Sequence, residues 1–167
     1  MQLRQEASAV SDAPVPAERR RDLLNQLTII GWLSLGGFFG LMLYQVDRVR
    51  SIDGSRFAGV WEQRIEVLSF LVLPPNIVVL VPPALIAITA AYLADADAPP
   101  AIAPLLRVTG GIATILIVIG AISIVTLLFD DSASGDAGSV FLRIGGMLVA
   151  YAIAKGCRSV DALRGLR

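Results

Sequence analysis

The stretch Leu71–Ala94, LVLPPNIVVLVPPALIAITAAYLA, decides how this chain is folded. No charged residue occurs between Val67 and Ala94, a run of 28 residues. One straight helix of that length would measure about 42 Å, against about 30 Å for a bilayer's hydrocarbon core. Two proline pairs resolve the excess. Pro74-Pro75 suits the first turn of a helix, where a missing N–H costs nothing. From Pro75 to Ala94 there are 20 residues, about 30 Å of helix, which matches the core. Pro82-Pro83 falls inside that helix and cannot donate to the carbonyls of Val78 and Val79. In lipid, freed carbonyls need an internal partner. Asn76 is the most polar residue of the run and lies just upstream. Asn76, Pro82 and Pro83 therefore define a break that is either a hinge or a static kink. A static kink is favoured, because no other span contains a proline to make a matching break in a second repeat.

The rest of the chain reads as neighbours of this span. Hydrophobic content of 55% and a mean hydropathy of +0.70 exceed those of an ordinary soluble domain. Four spans are expected, at about 23–46, 70–94, 107–129 and 139–156, within a transmembrane domain covering 23–157. The fold class is all-α: an integral membrane four-helix bundle with a proline-broken second helix. Residues 1–22 form an N-terminal tail ending in ERRRD, and 158–167 a short basic C-terminal tail.

In the first span, Gly36 and Gly40 make a GxxxG pair with Gly37 beside it. This spacing lets helix backbones approach closely, for packing within the bundle or for docking a partner. Trp32 and Tyr44 suggest opposite membrane interfaces. Phe57, Val60, Trp61, Ile65 and Leu68 recur at helical spacing in the first connector, Asp47–Glu66, and predict an interfacial or descending helix. The acidic loop Asp130–Gly138, DDSASGDAG, lacks EF-hand spacing and reads as solvated. Arg143 precedes the shortest uncharged run and is expected to snorkel or to pair with that loop, in preference to a buried functional role. Gly146, Ala150 and Ala154 form a second small-residue ridge on the last span. Cys157 lies just beyond it, a packed thiol in preference to an acylated one.

Several function classes recede on composition. There is no histidine, so the usual general base and commonest metal ligand are missing. One cysteine allows neither an intrachain disulfide nor a multi-cysteine metal site. No catalytic, metal-binding or cofactor-binding motif is visible, and a net charge of zero gives no global field for nucleic acid. The reading is a non-enzymatic protein without cofactors. With the charged residues at the adjoining span ends (Arg107, Lys155 and Arg143) included, the termini and second connector carry nine Lys/Arg against five in the other connectors. The positive-inside rule then puts both termini in the cytoplasm.

Two functions remain. The first is an accessory, assembly or regulatory subunit of a larger membrane complex, working through its small-residue ridges. The second is a stand-alone oligomeric transporter or lipid-binding protein that uses the broken span. Against a coupled carrier, no charged residue lies at the middle of any span.

The ERRRD entry, the PPNIVVLVPP break and the last span RIGGMLVAYAIAKG, in an Ala/Val/Gly/Arg/Asp-rich and Lys-poor chain, resemble small four-span membrane proteins of mycobacteria. Among these are accessory proteins of the Mce (mammalian cell entry) lipid importer. The resemblance covers general architecture and carries no diagnostic motif. It implies a place in the plasma (inner) membrane, membrane lipids and a permease-type subunit as partners, no ATPase activity, and a role in assembly or regulation.

Overall fold

The computed structural model describes residues 17–51, 60–94, 99–129 and 137–165. Every regular element among them is helical. The order is α1 (Ala17–Arg50), α2 (Val60–Ser69), α3 (Pro74–Ile77), a 3-10 turn (Val78–Leu80), α4 (Val81–Leu93), α5 (Ile102–Phe129) and α6 (Ala137–Gly165). Four segments are long and apolar enough to cross a membrane: α1, the composite Pro74–Leu93, α5 and α6. The all-α four-span bundle with a broken second span is therefore the observed architecture. The N-terminal tail through residue 16, Phe57 and most of the acidic loop lie outside the described residues.

The broken span shows how two proline pairs can sit inside a membrane without leaving a gap. Pro74 and Pro75 occupy the first positions of α3. The chain then tightens into a 3-10 turn, with the Val81 N–H donating to the Val78 carbonyl. This restart puts Pro82 and Pro83 in the first turn of α4, where helical N–H groups have no intrahelical acceptor in any case. The span is two helices in series, and the prolines cost little at the positions they occupy.

The composite span is the centre of the bundle. α4 packs against α1, α5 and α6, whereas α1 and α6 make no extensive contact with each other. Its inward face is built from alanines: Ala84, Ala87, Ala90 and Ala91 are all buried. Small side chains bring backbones together, and van der Waals packing drives helix association where no hydrophobic effect operates between helices. α5 and α6 form an antiparallel hairpin with the most extensive pairing in the fold. Gly110 faces Cys157, and Gly120 faces Met147.

α1 uses a single seam. Leu24, Thr28, Gly31, Leu35, Phe38 and Gln45 are buried, with Met42 packed against the core between the last two. That spacing alternates four and three residues, the repeat of a knobs-into-holes seam. Gly31 is the tight point: a Cβ there would lie 2.6 Å from Leu105 Cδ2 and 3.1 Å from Ile86 Cγ2. With one seam engaged, only 22% of the apolar window of α1 is buried, against 33–39% for the other spans.

α2 is not confined to the bilayer surface. It packs against α1 and α5, and the chain turns after it through Leu71 and Val72, both almost fully buried. The side chain of Asn76 donates to the Phe70 carbonyl and closes this turn.

Candidate functional site

The small-residue positions separate into two groups. On α6, Gly146, Ala150 and Ala154 all face into the bundle. A Cβ on Gly146 would collide with the carbonyl oxygen of Val72, so helix and turn touch backbone to backbone there. This ridge is used up in packing α6 against the α2–α3 turn and its neighbours.

On α1 the outcome is the opposite. Gly36, Gly37 and Gly40 are exposed, and a Cβ on any of them would meet nothing within 4 Å. They point away from the inner seam. Ile29, Leu33, Gly36, Gly40 and Leu43 repeat the four-three spacing on the outer face. Ile29, Leu33 and Leu43 are 60%, 72% and 69% exposed. The outer seam is thus a shallow glycine-floored notch with large apolar residues above and below it. Glycine within a helix costs about 1 kcal/mol relative to alanine. No contact inside the molecule offsets that cost at Gly36, Gly37 or Gly40.

Polar groups gather at the end of the bundle opposite the termini. Arg143 is 6% exposed and donates from Nη1 to the Ser123 carbonyl at 3.0 Å. The same carbonyl accepts the Thr126 hydroxyl at 3.0 Å. Glu66 of α2 lies within electrostatic range of the guanidinium. This corrects the expectation that Arg143 snorkels to the interface: its side chain turns inward and ties α6 to α5. A charge-assisted hydrogen bond of this kind is stronger where water is excluded. Gln45 is buried at the same end, and its Oε1 and the Arg143 Nε have no hydrogen-bond partner among the described residues.

The proposed hinge residues sit differently from one another. Asn76 bonds backward to Phe70, not forward to the carbonyls before the prolines. Pro82 is exposed and Pro83 buried. Ile77, just before the 3-10 turn, and Leu80, its last residue, are fully buried. Cys157 is buried against Gly110. Trp32 donates from its indole N–H to the Ala101 carbonyl at 3.3 Å. Trp32 and Tyr44 are twelve residues apart on α1, about 18 Å, too little to mark both faces of an approximately 30 Å core.

Two features escaped the sequence reading. Gly31 was hidden because no second glycine lies four residues away; its place in the Leu24–Gln45 repeat was the available signal. The alanine face of α4 was hidden by the prolines, which drew the reading toward a break and away from the packing.

Among the described residues no three His, Cys, Asp or Glu side chains come together. The fold and this surface define a class: an all-α, multi-pass integral membrane protein whose first span carries an open, glycine-floored notch on its outer face. Compared with known proteins, the chain matches no family model, no curated protein and no solved structure.

Proposed function

We propose that this chain is a non-catalytic accessory subunit of a larger membrane assembly, docked through the outer seam of α1 against a transmembrane helix of its partner. One observation carries the reading: the three exposed glycines at the centre of that seam. A lipid-facing helix gains nothing from them, whereas a partner helix could approach within backbone contact over Gly36 and Gly40. The Gly146, Ala150 and Ala154 ridge of α6 is already engaged inside the bundle. The peripheral position of α1 supports this reading, since α1 can accept a partner without rearrangement of the α4–α5–α6 core.

The resemblance to mycobacterial accessory proteins supplies a specific partner for test, the permease of an Mce-type lipid importer. Assembly or regulation would then be the role, in the inner membrane, with both termini cytoplasmic by the distribution of Lys and Arg.

The experiment is a mild-detergent pull-down of the natively expressed chain with mass spectrometry of what co-purifies. Wild type should be recovered in a defined assembly. Gly36→Leu with Gly40→Leu should cut partner recovery at least tenfold and leave insertion and the thermal midpoint of the isolated chain unchanged. Full recovery by the double variant would remove α1 as the docking face. Recovery of wild type only as a small homo-oligomer would move the weight to a stand-alone lipid-binding protein or carrier.

A further inference from the structure

At the terminal end of the bundle, the α5–α6 hairpin carries an arrangement that internal packing does not require. Arg107 is the last charged residue before the apolar run Val108–Phe129, so it lies where that span meets the headgroups. Its Nε is paired with Asp161 Oδ2 at 3.1 Å, which leaves both terminal nitrogens of the guanidinium as donors. Arg158 donates from Nη2 to the Thr114 hydroxyl at 3.0 Å, and that hydroxyl donates in turn to the Gly110 carbonyl at 2.8 Å. Thr114 thereby holds the second guanidinium against the helix pair. Lys155 lies one turn before Arg158, with its ammonium 5.9 Å from the centre of the Tyr151 ring. Neither Lys155 nor Arg158 has a carboxylate partner among the described residues.

Between these side chains lie two adjoining hollows of about 190 and 230 Å³ that share Thr114 and Arg158. Each is smaller than the roughly 300 Å³ minimum of drug-sized ligand sites. Their lining is graded along the membrane normal. The deeper hollow has Ile117, Tyr151 and Ala154 toward the bilayer centre, and Lys155, Arg158 and Ser159 toward the terminal end. Three cations against one carboxylate, at interface depth, with an apolar slot below them, match a diacyl lipid with a phosphate headgroup. A free phosphate ion would have no use for the slot. Both hollows are open to the side, with Arg107, Tyr151, Lys155 and Arg158 exposed.

We infer that this groove is a binding site for an anionic phospholipid, its phosphate held by Arg107, Lys155 and Arg158 and one acyl chain lying along Ile117 and Tyr151. Basic pockets between transmembrane helices are a known form of headgroup recognition. The site lies on α5 and α6, away from the outer seam of α1, and does not rest on the docking reading.

The test uses the full chain, delipidated in detergent and then supplied with phosphatidylglycerol, phosphatidylcholine or inorganic phosphate, with bound lipid read by native mass spectrometry. Wild type should retain one phosphatidylglycerol under conditions that strip phosphatidylcholine, and millimolar inorganic phosphate should not displace it. Lys155→Gln with Arg158→Gln should weaken retention about thirtyfold, from roughly fivefold per cation near a membrane surface. The charge-preserving exchange Lys155→Arg with Arg158→Lys should stay within about fivefold of wild type, and Gly36→Leu with Gly40→Leu should change nothing. Equal retention of phosphatidylcholine would overturn the inference, as would full retention by the double glutamine variant. Displacement by inorganic phosphate would overturn it in favour of a soluble-anion site. Because the comparison of two lipids needs only wild type, a double variant that fails to fold leaves the inference open to refutation.

Discussion

A glycine in this protein means opposite things depending on what its missing Cβ would meet. At Gly146 it would meet the Val72 carbonyl oxygen, so Gly146→Leu forces helix and turn apart. Overpacking of a tight contact typically costs 1–3 kcal/mol, and here a rigid backbone is struck. The expected loss is about 3 kcal/mol or more, seen as a collapse of the monodisperse detergent-solubilised peak, whereas Gly36→Leu should leave that peak intact. Gly146 is for this reason unsuited to a docking test, since any lost partner would report a lost fold. Arg143 obeys a different rule. Its guanidinium bonds the Ser123 carbonyl from inside the bundle. Arg143→Ala removes that bond and leaves a hole, at an expected cost of about 2–4 kcal/mol. Arg143→Met fills the space without a buried charge and should fall within about 1 kcal/mol of wild type. Unfolding titrations of both variants in mixed micelles check the order; equal loss would mean that the charge, not the volume, holds α5 to α6.

The broken second span is an element whose geometry argues for rest. Its prolines lie in first turns, its 3-10 turn is closed by the bond from Val81 to Val78, and Ile77 just before that turn and Leu80 at its end are fully buried. Motion at the break would have to expose or repack those two side chains. Pro82→Ala with Pro83→Ala is therefore expected to leave partner recovery and thermal midpoint within error of wild type. Loss of the partner's activity with assembly intact would instead identify Asn76–Pro83 as a working hinge. Legibility differed along this element. Proline positions are readable from sequence because the ring has the same geometry everywhere. The partner of Asn76 was not readable, because Phe70 is brought within reach only by the turn that α2 makes as it enters the bundle.

Across the whole molecule, charge and contact are distributed by membrane depth. Arg19 and Arg21 are exposed at the start of α1, at the same end of the bundle as Arg107, Lys155 and Arg158. This end carries the start of α1 and the end of α6, and by the positive-inside rule we propose that it faces the cytoplasm. A green fluorescent protein fused after Arg167 should fluoresce, while alkaline phosphatase at the same place should be inactive. The reverse result would invert the topology and place the lipid site in the outer leaflet. The bundle is asymmetric about α4: α5 and α6 close one side, and α1, flanked by α2, lies on the other. A peripheral span with a structured outer face is what a subunit needs if it is to join a partner without unpacking itself.

Length, hydropathy and proline spacing were sufficient to define four spans and a restart in the second, because bilayer thickness and the missing proline N–H act locally and do not depend on neighbours. They were sufficient too for the net distribution of basic residues between the two ends. Sequence could find both small-residue ridges but could not say which one the molecule consumes. Gly36 and Gly146 look alike in one dimension, and both satisfy the spacing for close approach. Their difference arises from a long-range contact: the α2–α3 turn delivers the Val72 backbone onto Gly146, and nothing in the bundle reaches Gly36. The inward turn of Arg143 and the basic groove have the same origin, since each joins residues of α5 and α6 that meet only when the hairpin closes.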